Sequence, residues 1–312
     1  MEASADRRDL LNAEWFTLGD GARLRWYRWP AVGAEDRGVL LVLNGRSEFL
    51  EKWDETARDF AALGFDVFSL DWRGQGLSTR PLPGTDKGYI DRFETYLDDL
   101  EAFLDAVVAP AAGGRPIVMV AHSMGGHIAL RFLADRHPPV RAAVLAAPMI
   151  NFRTGPLHRA VVHSMAWLAT RIGLGDRYTL GGGPFDPARE PFDGNVLTGD
   201  PDRYQVRMDY FATYPELRVG AVTIGWLDAA FRSVNKMAAK GYLECIGMPV
   251  LIGQAGQEAL VDNRAMASAV DRMPDARLLV FDDARHELFM EQDAVRASLM
   301  EAVDRFFADR GI

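Results

Sequence analysis

The sequence predicts an α/β fold, in which a mostly parallel sheet carries helices on both faces and an inserted, mainly helical segment. Short, continuously apolar runs at residues 38–43 and 116–121 have the length and content of strands buried on both faces. They alternate with segments of helical periodicity, and a strand–helix–strand alternation requires parallel pairing. The alternation stops after Pro148 and resumes at Pro249, which indicates an insertion between two sheet strands.

The elements follow in a simple order. Two N-terminal strands, at residues 15–18 and 23–29, flank the hairpin turn Gly19-Asp20-Gly21. Gly64 is a plausible end for the first helix. The alternating elements are strand 38–43, helix 47–63, strand 65–70, helix 91–108, strand 116–121, helix 124–135 and strand 140–147, then strand 249–254, helix 263–272, strand 277–281 and helix 293–308.

The order of elements defines three segments. Residues 1–150 and 246–312 form the two parts of the core, and residues 151–245 form the insertion. Because ligands of open α/β sheets bind at the carboxyl ends of the strands, an insertion at that edge is predicted to act as a cap over the site.

Composition narrows the functional classes. The net charge of −9 disfavours nucleic acid, because phosphate binding needs clustered Lys and Arg. The single cysteine allows no disulfide within the chain and is typical of a reducing compartment. Residues 1–11 lack the apolar stretch of a signal peptide, and no run reaches the ~20 residues of a membrane span. We therefore expect a cytoplasmic protein with at most transient membrane contact, no metal and no cofactor.

Ser123 is the predicted nucleophile. It lies in Ala121-His122-Ser123-Met124-Gly125, between a predicted strand and a predicted helix, which is the context of the nucleophile elbow G-x-S-x-G. The sharp turn requires small residues two positions before and after the serine, and Ala121 in place of glycine is still small. The alternative is a serine that only caps the helix. A base and an acid later in the chain, in the order Ser, acid, His, would decide between the two.

His286 is the predicted general base, since it is the one histidine among six that lies between the last strand and the last helix. Two carboxylates, Glu258 and Asp262, follow the strand at 249–254. Spacing from the strand end favours Glu258 as the acid that orients the imidazole. Asp262 is the alternative, although it is well placed to cap the next helix.

Two backbone N–H groups are predicted to form an oxyanion hole. One is Met124, directly after the nucleophile, and the other is Arg46, in the loop after strand 38–43. The nearby Arg73-Gly74-Gln75-Gly76 lacks the spacing of a phosphate-binding loop and indicates a tight turn at the carboxyl edge of the sheet.

These blocks together resemble the bacterial lysophospholipases of the monoacylglycerol-lipase branch of the α/β-hydrolases. The matching blocks are Asn44-Gly45-Arg46-Ser47-Glu48, Asp71-Trp72-Arg73-Gly74-Gln75-Gly76-Leu77-Ser78, the elbow, Val261-Asp262-Asn263-Arg264 and His286-Glu287. The resemblance implies the α/β-hydrolase fold and an esterase that acts on a lipid monoester under a mobile cap. It aligns Glu258 with a position where many members carry Asp and some Glu. Ala121 for Gly and Asn44 for His depart from the usual pattern.

Three functions are consistent with these residues. The first is hydrolysis of a lysophospholipid or monoacylglycerol through an acyl-enzyme. The second is a small-molecule esterase, thioesterase or amidase with the same triad. The third is a hydrolase-like binding protein without turnover, which is disfavoured because all three triad residues are present.

Overall fold

The structure, a computed structural model, describes residues 9–32, 36–155 and 157–312. Within these residues eight strands form one sheet in the order β1-β2-β4-β3-β5-β6-β7-β8. Strand β2 pairs antiparallel with β1 and β4, and all other neighbours are parallel. The strands are β1 Glu14–Thr17, β2 Arg23–Trp29, β3 Gly38–Leu43, β4 Phe65–Leu70, β5 Ile117–His122, β6 Val140–Ala146, β7 Val250–Ala255 and β8 Ala276–Phe281.

Helices cover both faces of this sheet. The α-helices in the described residues are α1 Asp54–Ala62, α2 Glu94–Phe103, α3 Ala109–Ala112, α4 Met124–Arg136, α5 Arg159–Arg171, α6 Pro201–Thr213, α7 Ile224–Met237, α8 Asn263–Arg272 and α9 Asp293–Ala308. Single turns of 3-10 helix lie at Leu50–Trp53, Pro187–Arg189, Pro215–Leu217 and Leu288–Met290, and a π-helical turn at Leu104–Val108 joins α2 to α3. The predicted α/β architecture is confirmed.

The apolar runs of the sequence reflect burial on both faces of the sheet. Alternate side chains of β3 point to opposite sides, so that Leu41 and Leu43 pack in one core and Leu40 and Val42 in the other. All four are fully buried. A strand between two cores has no solvent-facing side, and its sequence therefore shows no polar alternation.

Two predicted helices differ from the structure. The helix expected at 47–63 begins only at Asp54, because Ser47 has a left-handed φ of 64° and a 3-10 turn follows at Leu50–Trp53. The helix expected at 91–108 begins at Glu94 and changes to π-helical geometry at Leu104. The remaining predicted strands and helices agree to within about two residues at each end.

Strand register brings several loops to the same edge of the sheet. Leu43, the last residue of β3, pairs with Ala121 of β5, and His122 pairs with Ala146 of β6. The loops after β3 and β5 therefore leave the carboxyl edge of the sheet side by side. This edge is also where β7 and β8 end.

Residues 151–245 contain α5, α6, α7 and long loops. In the described part of this segment only isolated bridges occur, at Phe152, Tyr178, Val222 and Thr223, in place of a sheet strand. Helices α5 and α7 pack together, with the His163 and Phe231 rings stacked 4.8 Å apart. No helix among the described residues is long and apolar enough to cross a bilayer. The prediction that the chain has no signal peptide rests mostly on residues 1–8, which lie outside the described residues.

Candidate active site

Ser123 lies at the sharp turn between β5 and α4. Its backbone angles, φ 50° and ψ −113°, are in a sparsely populated region for a residue with a side chain. Such a conformation persists only where the surroundings enforce it. Here Gly125 lets the start of α4 pack directly against the end of β3, because a Cβ at that position would lie only 2.1 Å from the carbonyl oxygen of Leu43. The alanine at 121 is fully buried within β5, so the turn accommodates it.

His286 faces the serine. It lies in the loop between β8 and α9, and its Nε2 is 2.9 Å from Ser123 Oγ. The side chain is almost fully buried. This distance allows the serine hydroxyl to donate its proton to the imidazole, which is the contact that a general base requires.

Glu258 completes a hydrogen-bonded chain. Its Oε2 lies 2.7 Å from His286 Nδ1, and its Oε1 accepts from the N–H groups of Leu260 (2.7 Å) and Val261 (3.1 Å). Burial alone would raise the pKa of Glu258, but its hydrogen bond to His286 and the charge of that ring lower it. The carboxylate is therefore ionised and fixed in place, as a group that orients an imidazole must be.

Asp262, the alternative acid, is directed elsewhere. Its carboxylate caps helix α8 by accepting from Arg264 N–H at 3.0 Å, and it also accepts from Asn151 Nδ2 at 3.3 Å. The structure thus brings Glu258 and not Asp262 to His286.

The two N–H groups predicted for the oxyanion hole border the same pocket as Ser123. Met124 begins helix α4, and the first N–H groups of a helix have no partner within it. Around Arg46, the Gly45 N–H is donated to Glu48 Oε2 and the Ser47 N–H to Gln75 Oε1. Along the chain, the Arg46 N–H lies between these two N–H groups, both of which already donate a hydrogen bond. The Arg46 side chain donates to the carbonyl of Gly220, and burial lowers the pKa of its guanidinium to about 10.

The predicted tight turn at residues 73–76 supports this loop. Asp71 accepts from the N–H groups of Leu50 (3.0 Å) and Leu77 (2.9 Å), while Gln75 accepts from Ser47 N–H. Gly76 has a φ of 50°, and a Cβ there would lie 2.0 Å from the Asp71 carboxyl carbon. The turn therefore braces the loop that carries Arg46, a role that its sequence alone did not indicate.

A pocket of about 820 Å³ opens above Ser123. Core loops and the inserted segment both contribute to its walls. Its apolar side chains include Met149, Phe152, Leu197, Trp226, Leu260 and Val261. A volume of this size accommodates a ligand of several hundred daltons. Within residues 9–32, 36–155 and 157–312, no three His, Cys, Asp or Glu side chains are arranged to hold a metal ion.

Sequence reasoning missed a group of charged side chains beside the site. His122, Glu48, Lys52 and Glu287 are buried and joined by hydrogen bonds. The available signals were the histidine inside the elbow and three charged residues that sequence reasoning would place at a surface.

Comparisons with known proteins identify hydrolases that are similar to this chain. Residues 34–293 match the family model described as serine aminopeptidase, S33. Lysophospholipase L2 of Escherichia coli K12 is 34% identical over 94% of this chain and 86% of its own length. A probable lysophospholipase L2 of Haemophilus influenzae is 31% identical over 86% of this chain and 83% of its own. The crystal structure of a soluble variant of Saccharomyces cerevisiae monoglyceride lipase, bound to a substrate analogue, superposes with a TM-score of 0.78 at 20% identity, covering 97% and 95% of the two chains.

Proposed function

The chain belongs to the serine aminopeptidase S33 family, and from its triad geometry and its similarity to lysophospholipase L2 we propose that it is a serine esterase that cleaves a lipid monoester, a lysophospholipid or a monoacylglycerol, through an acyl-enzyme. The observation that carries the proposal is the chain Ser123–His286–Glu258, with distances of 2.9 and 2.7 Å, whose first two members line the 820 Å³ pocket.

The proposed reaction has two halves. Ser123 Oγ attacks the ester carbonyl while His286 Nε2 takes its proton, and Glu258 stabilises the imidazolium that forms. The N–H groups of Met124 and Arg46 hold the oxyanion. His286 then returns the proton to the leaving alcohol, and water, activated by the same imidazole, releases the fatty acid and regenerates the serine.

The apolar wall of the pocket supports a lipid acyl chain as the group held near Ser123. We also propose that residues 151–245 act as a cap. Pocket-lining residues from this segment, such as Phe185 and Leu197, face core residues such as Met124 and His286 across the same space. An acyl chain between them would be shielded from water, which favours binding in proportion to the apolar area covered.

We further propose transient contact with a lipid surface through α5. Large apolar residues recur at intervals of three or four over residues 157–172, which include α5 and its flanks, and each is at least half exposed. They are Leu157, Val161, Met165, Leu168 and Ile172. Residues 153–180 also contain four Arg and one Asp, in a chain whose net charge is −9. An exposed apolar helix with arginines near its ends matches an anionic bilayer surface, where the enzyme would meet a lipid substrate. The single cysteine is consistent with a cytoplasmic location.

A substrate panel tests the activity. Lysophosphatidylcholine, a long-chain monoacylglycerol, p-nitrophenyl acetate and an aminoacyl anilide are compared by kcat/KM, the anilide because the family description names an aminopeptidase. We expect the two lipid monoesters to be preferred and Ser123→Ala to lose at least a thousandfold in kcat. A preference for the acetyl ester or the anilide would overturn the lipid assignment, and full activity of Ser123→Ala would overturn the mechanism.

A further inference from the structure

The proposed mechanism leaves unused a buried cluster of four ionisable side chains, Glu48, Lys52, His122 and Glu287. Each is less than a tenth exposed. Lys52 Nζ donates to Glu48 Oε1 at 2.7 Å and to Glu287 Oε1 at 2.6 Å. Burying charges is costly unless they are paired and hydrogen-bonded, so the balance of charge within the cluster constrains the protonation of every member.

Glu48 is surrounded by donors. Its carboxylate accepts from the N–H of Gly45, from Trp53 Nε1 at 3.1 Å and from Lys52 Nζ at 2.7 Å, and it lies 3.2 Å from His122 Nδ1. Burial by itself would raise the pKa of Glu48, but the charges of Lys52 and His122 hold that pKa well below its ordinary value. Glu48 is therefore an ionised carboxylate, which can only accept.

Both ring nitrogens of His122 face acceptors. Nδ1 points to the Glu48 carboxylate, and Nε2 lies 3.2 Å from the backbone carbonyl oxygen of His286. A carbonyl oxygen never donates, and neither does an ionised carboxylate, so each nitrogen must carry a proton. Burial lowers the pKa of His122, but the adjacent Glu48 outweighs it and the pKa is raised.

We infer that His122 is an imidazolium at neutral pH and connects the oxyanion loop to the catalytic base. Through Glu48 it holds Gly45, the residue before Arg46, and through its Nε2–H it holds the backbone of His286. It is a positioning residue, since its ring nitrogens bind Glu48 and the His286 backbone rather than Ser123 Oγ or the His286 imidazole. The inference deepens the proposed function and rests on the use of His286 as the base in that mechanism.

The charge balance supports the assignment. The charged groups that face His122 are Glu48, Lys52 and Glu287, with His286 on its other side. An imidazolium at 122 makes the buried cluster of two carboxylates and two cations neutral. A neutral imidazole would leave a net negative charge buried in the core, and one of its nitrogens would face an acceptor without a proton to donate.

The position of His122 affects the base. The rings of His122 and His286 lie 4.8 Å apart between centroids. Because the His122 Nε2–H holds the backbone carbonyl of His286, loss of the imidazolium frees the loop that carries the base, and it leaves Lys52 as the remaining cation of the cluster. We therefore expect kcat to fall while KM changes little.

Two neutral variants separate the contacts. His122→Asn places an amide near the Nδ1 position and can still donate to Glu48, while His122→Gln reaches toward the His286 carbonyl. We expect both to lower kcat for p-nitrophenyl butyrate about tenfold with KM nearly unchanged, because the base and the oxyanion loop lose their support while the pocket does not. His127→Gln is the matched control, because His127 is a fully buried histidine of α4 that contacts Met149 and Ser233 and not the cluster. We expect stability but not kcat to change in this control.

Nitrogen-15 NMR of the unmodified protein provides a test that needs neither activity nor a variant that folds. We expect both His122 nitrogens to be protonated at pH 7. A spectrum with one unprotonated His122 nitrogen at pH 7, or an unchanged kcat in both variants, would overturn the inference. Because neither readout uses a lipid, failure of the substrate panel would leave this test intact.

Discussion

Gly125 offers a sharp test of how the elbow and the oxyanion loop depend on each other. In Gly125→Ala the new Cβ would lie 2.1 Å from the Leu43 carbonyl oxygen and 2.5 Å from that of Asn44. Ordinary contact begins at 3.4 Å, so helix α4 and the end of β3 must separate by more than 1 Å. The peptide groups that move lead directly into Gly45 and Arg46.

A displacement of this size is large for a catalytic group. Misplacing reacting groups by ~1 Å costs about a hundredfold in rate, which corresponds to about 2.7 kcal/mol in the activation barrier. We therefore expect kcat of Gly125→Ala on p-nitrophenyl butyrate to fall about a hundredfold. The overpacked contact should also lower the free energy of unfolding by about 1–3 kcal/mol, measured in urea.

Gly126→Ala is the matched control. Its Cβ would lie 2.7 Å from the Pro148 side chain, and its nearest contacts include neither Leu43 nor Asn44. It should lose comparable stability, yet its kcat should fall less than Gly125→Ala does. A folded Gly125→Ala protein with kcat within threefold of the unmodified enzyme would refute the reasoning, because it would show that the oxyanion loop does not depend on this contact.

Two further predictions concern the acid and the cap. Glu258→Gln should lower kcat by about three orders of magnitude, because an amide no longer stabilises the His286 imidazolium. Asp262→Asn should keep its helix cap and a near-normal kcat. The reverse ranking of the two variants would assign the acid to Asp262. Leu168→Asp should weaken co-sedimentation with phosphatidylglycerol vesicles more than tenfold by removing apolar area from the α5 face. Val32→Asp is the control, because Val32 is more exposed than Leu168 and lies outside α5, and it should bind vesicles like the unmodified protein. An equal loss of binding in both variants would contradict the proposed contact of α5 with the lipid surface.

Most of the fold could be predicted because its signals are local. The run at Gly38–Leu43 is apolar throughout because its side chains enter two cores, and any strand with that environment has that pattern. The start of α1 could not be predicted. Ser47 has a left-handed conformation and donates its N–H to Gln75, which lies 28 residues further along the chain. No window of sequence around residue 47 contains that partner.

The sequence by itself determined the α/β class, the predicted insertion at 151–245, and Ser123 and His286 as the nucleophile and base to test. Each follows from local pattern and chain order, which survive in a single sequence. Only the tertiary structure decided that Glu258 rather than Asp262 contacts His286, and that His122 has acceptors at both ring nitrogens. Those outcomes depend on distances of about 3 Å between segments many residues apart. Hydrogen bonding changes steeply over such distances, and periodicity and spacing along the chain do not specify them.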